Sequence, residues 1–298
     1  MRFVGGDWGT SNFRLRFVDG KVKREFKSDE GTAKLAAAGG ERARAFRETL
    51  ASGLAKLQAP KNIPVVLSGM ASSSIGWKEL PYAKAPFALD GRSAVWAKVD
   101  PHVYLISGMR TDTEILRGEE TEAIGLVAAL GREMPFEAVL VLPGTHSKHL
   151  DVNPGGIAGF RTFMTGELFD LLVRLSVLRH STDPDAPVDK TAFLDGVEES
   201  TARPVTSALF RVRTRQVLDR KGAGSNTSFL SGLLIGTELG TLRGSDVAII
   251  LAAGKALRGS YTAAAEALGL GPRLKTVDSE PLSVLGQQVL LKRIHSGK

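Results

Sequence analysis

FVGGDWGTSNFRLRFVDG, residues 3–20, reads as an apolar strand, a glycine–hydroxyl turn and a second strand. Asp7 stands at the mouth of the first strand, followed at once by Gly9, Thr10 and Ser11. Glycine lets backbone approach a bulky anion closely. Backbone N–H groups and hydroxyls can then line the oxygens of that anion. A carboxylate is badly suited to touching phosphate, but it suits a hydrated magnesium ion beside it. Asp19-Gly20 is a turn signal that returns the second strand as a hairpin. The structural alternative is a hairpin whose aspartate only caps the turn.

The same unit recurs. Val139-Leu140-Val141-Leu142 reads as a strand, and Pro143-Gly144-Thr145-His146-Ser147-Lys148-His149 follows it. Gly144 and Thr145 offer N–H and O–H groups to phosphate, and Lys148 offers charge; the plain alternative is a polar turn with a surface lysine. His146 and His149 lack the neighbouring carboxylate or Cys ligands that a metal site needs. Residues 1–28 read as two or three antiparallel strands. A helix with an apolar stripe at Phe46, Leu50, Leu54 and Leu57 follows. Further strands are expected at 64–68, 103–106, 157–163, 247–251 and 274–277. Helices are expected from about 113 to 130, 165 to 178, 226 to 243, 259 to 268 and 281 to 294. Glycines at 232, 236 and 240 predict close helix packing. The 69–93 stretch, rich in Gly, Ser and Pro, predicts an ordered loop of the length that is often functional. The pattern is two similar α/β halves with a cleft between them and a boundary near 108–116. It is drawn as residues 1–110 and 111–298, with the last helix packing back on the first half.

The composition fits that plan. A chain of 298 residues, 43% hydrophobic and 24% charged, has room for a substantial core. No apolar run is long enough to span a membrane. Strand-like sequence starts at once, so no signal peptide is expected. With no cysteine, thiolate and disulfide chemistry are excluded, which suits a reducing cytoplasm. The net charge of +7 is scattered along the chain. Its densest cluster is Arg211, Arg213 and Arg215, read as one face of a strand, and no nucleic-acid recognition motif accompanies it.

Three further segments carry candidate chemistry. Arg117-Gly118-Glu119-Glu120-Thr121-Glu122 reads as an acidic helix start, which the helix dipole alone would favour. A carboxylate there could equally take a proton from an attacking hydroxyl. Phe163-Met164-Thr165-Gly166-Glu167 reads as a helix start capped by Thr165. Leu251-Ala252-Ala253-Gly254-Lys255 is a small-residue turn after a buried strand, against which a flat adenine could lie. It is not a P-loop, and the chain has no G-x-G-x-x-G after a strand.

Together, DWGTSNFRLR at 7–16, SGMASSSIGWKELPY at 68–82, RGEETEAIG at 117–125, LPGTHSKHL at 142–150, FRTFMTGELFDLL at 160–172 and FLSGLLIGTELG at 229–240 resemble the 2-dehydro-3-deoxygalactonokinase family. The sequence departs from the expected family pattern at His149, where Trp is expected, and at Ala71-Ser72-Ser73-Ser74. The resemblance implies an α/β protein of two actin-like (ribonuclease H-like) domains flanking a nucleotide cleft. It implies transfer of the ATP γ-phosphate to the C6 hydroxyl of 2-dehydro-3-deoxy-D-galactonate, in galactonate catabolism. The alternatives are a kinase for another keto-deoxy acid or hexose, or a non-catalytic nucleotide or sugar sensor. On this resemblance Asp7 would position magnesium, and Gly9, Thr10, Ser11, Gly144, Thr145 and Lys148 would hold phosphates. Gly254 would border the adenosine. Glu119 would be the catalytic base, with Glu120 or Asp112 as substitutes. Arg14, Arg110, Arg117, Gly69, Met70, Trp77, Tyr82, Thr165 and Glu167 would meet the sugar acid. ATP, magnesium and a small sugar acid are the expected ligands, with no nucleic-acid or membrane partner and a homodimer as the candidate assembly.

Overall fold

The computed structural model describes residues 1–37 and 41–297. The chain divides into two compact units. Residues 1–136, 152–160 and the segment from 279 onward form the first, and residues 137–151 and 161–278 form the second.

In the first unit, β1 (Arg2–Trp8), β2 (Phe13–Asp19) and β3 (Lys21–Ser28) form an antiparallel meander. Then come α1 (Thr32–Ala37), α2 (Arg42–Lys56), β4 (Val65–Gly69), β5 (Ala83–Lys84), β6 (Trp96–Asp100), β7 (Val103–Ile106), β8 (Met109–Arg110), β9 (Ile115–Leu116) and α3 (Glu119–Leu130). The main sheet runs β3-β2-β1-β4-β7-β6, with β1, β4 and β7 parallel. Alternation along β1 sends Val4 and Trp8 into a core with Phe13, Leu15, Phe46, Leu50 and Leu67. Trp8 stacks on Phe13 at 3.9 Å between ring centroids, and its indole N–H donates to the Glu30 carbonyl at 2.8 Å. The other face of the sheet, carrying Gly5 and Asp7, is left for α3 and the last helix.

The second unit begins with β10 (Ala138–Leu142), β11 (Ser147–Asn153), β12 (Gly156–Phe163) and α4 (Thr165–Arg174), although residues 152–160, the end of β11 and most of β12, count with the first unit. It continues through α5 (Lys190–Ala202), α6 (Val205–Ala208), α7 (Arg211–Val217), α8 (Ala223–Gly240), β13 (Ala248–Ala253), α9 (Lys255–Ala267) and β14 (Leu274–Asp278). Its sheet runs β12-β11-β10-β13-β14, with β10, β13 and β14 parallel. Matched strand for strand, β1, β2, β3, β4 and β7 take the same order as β10, β11, β12, β13 and β14. The chain is therefore an internal repeat, as the recurring turn implied.

The final helix, α10 (Leu282–Ser296), belongs to the first unit. It crosses α3 at two glycines. A Cβ on Gly125 would lie 1.9 Å from the Leu282 carbonyl oxygen, and one on Gly286 would lie 1.9 Å from that of Thr121. This contact ties α3 to the first unit, so the contact division falls after Phe136, whereas the sequence reading drew it at 110/111. In the second unit α5 and α8 meet in the same way, through Gly196 and Gly232. Arg211, Arg213 and Arg215, expected on one face of a strand, instead lie on α7. Arg215 is buried over the Phe229 ring and reaches Asp195, while Arg213 bonds Gln216, so they form no basic stripe. Among the described residues no helix is long and apolar enough to cross a membrane.

Candidate active site

In the first unit the chemistry gathers at the C-terminal ends of β1 and β4. Asp7 pairs in register with Arg14 on β2 and with Ser68 on β4. The residue is exposed, yet protein crowds around its carboxylate. That desolvation pushes its pKa above the usual carboxylate range; Glu119 adds to the effect, while Arg14 and Arg16 oppose it. Gly69 follows β4 with φ of +86°, and a Cβ there would lie 2.8 Å from the Trp8 carbonyl oxygen and 3.2 Å from an Asp7 carboxylate oxygen. Gly118, with φ of +115°, opens α3 beside Gly69. Both positions favour glycine, because an L side chain is strained at such φ. Together they bring the start of α3 to Asp7.

Of the acidic residues at that helix start, Glu119 is half-buried, and its carboxylate accepts the Arg117 backbone N–H at 3.1 Å. Glu120 is fully buried and accepts from the Gly118 N–H at 2.6 Å and the Thr121 hydroxyl at 2.7 Å. It acts as the cap of α3, so it is poorly suited to stand in as the base. Asp112 is exposed in the turn between β8 and β9, and no distance ties it to Asp7. Glu122 belongs to the same acidic helix start, though the sequence reading gave it no role of its own. Burial, with Glu119, Asp7 and Glu120 nearby, pushes its carboxyl up to about 8. Beneath Asp7, Gln287 of α10 donates to the Gly6 carbonyl at 2.8 Å and to the Ser68 hydroxyl at 2.9 Å.

The turn after β1 is closed by the Gly9 N–H donating to the Asn12 carbonyl at 2.8 Å. Gly9 therefore shapes the turn but does not offer its own N–H, while Thr10 and Ser11 are exposed. The 69–82 loop divides. Arg117 donates to the Ser72 carbonyl at 2.8 Å and hydroxyl at 2.6 Å, and its guanidinium lies 4.2 Å over the Tyr82 ring. Met70 and Tyr82 stay partly accessible. Trp77, expected to line the sugar, is instead in the core, with its ring stacked on Phe46. An indole is as good a core residue as a sugar platform, and Phe46 of the α2 stripe supplied the packing partner.

In the second unit, Gly144 and Thr145 border a cavity of about 310 Å³ that is also lined by Thr165, Gly166, Phe169, Leu234, Leu257 and Tyr261. The α4 start is fitted onto the 144–145 turn. A Cβ on Gly166 would lie 2.6 Å from the Gly144 carbonyl oxygen, and the Glu167 N–H donates to the Thr145 carbonyl at 3.0 Å. The Glu167 carboxylate meets the His146 ring. Of the two residues offered to the sugar acid from sequence, Thr165 thus lines the cavity and Glu167 packs on the second turn. Thr165 is the first residue of α4, where it had been read as the cap. Lys148 is buried and donates to the His146 carbonyl at 2.8 Å, which fixes the turn. Gly254 precedes α9, and it is Leu257 and Tyr261 of that helix that reach the cavity.

Sequence reasoning missed Tyr261, Phe169 and Glu238. The last had a signal: Glu238 is the one charged residue in the eighteen of α8. Among the described residues no group of three or more His, Cys, Asp or Glu is arranged to hold a metal ion. A metal brought in with a nucleotide needs fewer protein ligands than that.

A duplicated α/β unit whose copies each open on a strand and a glycine–hydroxyl turn is the actin-like fold of sugar kinases. The crystal structure of a Sinorhizobium meliloti protein assigned as a 2-dehydro-3-deoxygalactonokinase superposes with a TM-score of 0.85, at 33% identity over 98% of this chain and 99% of that one. The activator of 2-hydroxyisocaproyl-CoA dehydratase from Clostridium difficile, at 12% identity over 100% of this chain and 97% of its own, has a TM-score of 0.52 and shares the fold alone. The profile of the 2-keto-3-deoxy-galactonokinase family matches residues 7–287, and the chain belongs to that family. A Rhizobium meliloti (strain 1021) protein named a probable 2-dehydro-3-deoxygalactonokinase is 36% identical, over 93% of this chain and 92% of its own. The 2-dehydro-3-deoxygalactonokinase of Escherichia coli (strain K12) is 32% identical, over 90% of each chain.

Proposed function

We propose that this carbohydrate kinase transfers the γ-phosphoryl group of ATP to the C6 hydroxyl of 2-dehydro-3-deoxy-D-galactonate. The observation that carries the reading is that the family's acidic helix start is brought to Asp7 at Gly118-Glu119, beside Gly69. Glu119 is the base. It takes the proton of the C6 hydroxyl as that oxygen attacks phosphorus, and the bond from phosphorus to the ADP oxygen breaks. Asp7 would hold the magnesium that accompanies ATP. The crowding and the neighbouring Glu119 that disfavour its charge are the conditions a divalent cation offsets. The metal supplies charge neutralisation on the phosphates. Thr10, Ser11, Gly144 and Thr145 would contact phosphate oxygens, and the 310 Å³ cavity would take the nucleoside. Arg14, Arg110 and Arg117 are the cations offered to the substrate carboxylate.

ADP release should be measured with Mg-ATP and 2-dehydro-3-deoxygalactonate, its gluconate epimer and common hexoses. Turnover with the galactonate acid well above the hexoses is expected. No release with either acid would sink the kinase reading, and equal rates with hexoses would sink its specificity. Glu119→Gln should lower turnover at least about a hundredfold with nucleotide binding nearly intact. A mild effect would move the base elsewhere.

A further inference from the structure

Glu238 lies on α8 with its carboxylate almost completely enclosed, and it takes four hydrogen bonds from three other elements. One oxygen accepts the Ser147 hydroxyl at 2.6 Å and meets His149 Nε2 at 3.0 Å, both on β11. The other accepts the Thr165 hydroxyl at the start of α4 and the Tyr261 hydroxyl of α9 at 2.8 Å. A buried carboxylate is costly unless its lone pairs are filled, and here all the donors are supplied by side chains. Burial works against its charge, but His149, Ser147 and Thr165 outweigh it and hold the carboxyl below the usual glutamate range.

The donors are not scattered. Ser147 and His149 start the strand that leaves the Gly144-Thr145 turn. Thr165 and Tyr261 each line the adjoining cavity. Their hydroxyls are spent on Glu238, so the wall they give the cavity is mostly carbon, together with Phe169, Leu234 and Leu257. A flat, largely apolar wall next to a phosphate-type turn needs its parts held at fixed separation, because a misplacement of about 1 Å weakens every contact at once.

We infer that Glu238 is a positioning residue for nucleotide binding: its carboxylate locks the second phosphate turn, the start of α4 and α9 into one rigid seat. It touches no ligand itself. The inference rests on the reading that this cavity takes the nucleoside of ATP.

The full-length protein should be titrated with a non-hydrolysable ATP analogue by calorimetry, alongside steady-state kinetics in both substrates. Glu238→Gln keeps the volume but turns an N–H₂ toward donors, so it should weaken analogue binding about tenfold or more and raise the KM for ATP in parallel. The KM for the sugar acid should stay within about twofold, a split that general loss of folded protein would not produce. Glu238→Asp should recover part of the affinity. Should Glu238→Gln not fold, Tyr261→Phe and Thr165→Val each remove one donor, and each should weaken the analogue about threefold. A folded Glu238→Gln with wild-type analogue affinity overturns the inference, as do Tyr261→Phe and Thr165→Val with no effect. Wild-type protein that binds no analogue sinks the nucleotide reading itself.

Discussion

Glu122 sits one helical turn beyond Glu119 and shares its surroundings with Asp7 and Glu120, so one region of the first unit holds four carboxyls. Burial pushes Glu120 up to about 7 and Glu122 up to about 8, from an ordinary value of 4.5. The folded chain therefore binds protons that the unfolded chain has released, and stability falls as pH rises from about 4.5 to about 8. Glu122→Gln should raise the melting temperature by several degrees at pH 8 and by little at pH 4 to 5. Parallel melting curves for both proteins across this range check it; a gap independent of pH would overturn it. Asp7, Glu120 and Glu122 are close enough to couple, so the profile belongs to the cluster and not to one residue. At this scale the sequence was only partly legible. Asp7, Gly118 and Glu119 stood out because their types match a chemistry. Trp77 was given to the sugar and Glu238 was missed, because whether an indole is packed or a carboxylate is bonded depends on residues far away in the chain.

The helix pairs are built on glycine. Glycines 232, 236 and 240 of α8 follow one spacing, yet they do different work. A Cβ on Gly232 would lie 1.9 Å from the Phe193 carbonyl oxygen, and one on Gly236 would lie 2.5 Å from the Ser200 hydroxyl, but one on Gly240 would meet nothing within 4 Å. Gly232→Ala should therefore cost more than about 2 kcal/mol by forcing α5 and α8 apart. Gly240→Ala should be neutral or stabilise by up to about 1 kcal/mol, the gain in helix propensity. Urea unfolding of the two variants decides it, and equal effects would remove the packing explanation. The repeat of glycines was legible and so was the close packing, but the partner was not. Residues 190–202 gave no clear periodic signal, and α5 was missed, as were α6 and α7. The short apolar strands were found because each ends in glycine or a turn residue.

At the scale of the whole chain, the duplicated strand order was legible from two turns 137 positions apart, at Asp7 and Gly144. The division of the chain was less so, because it depends on α3 docking to a helix that starts at Leu282. Removing residues from Ser279 onward should leave the first unit open to protease at β1 and β4, whose face α10 covers, while the second unit stays resistant. Limited proteolysis with mass spectrometry of the fragments checks this, and equal protection of both units would count against it.

The same helix sets an order of events during synthesis. Every segment of the second unit, ending at Asp278, is synthesised before α10. The first unit, whose strands are translated first, must wait nearly the length of the chain for the helix that carries Gln287 beneath Gly6. The half that is born first is thus the half that finishes last, and its waiting surface is the one that nascent-chain chaperones have reason to cover.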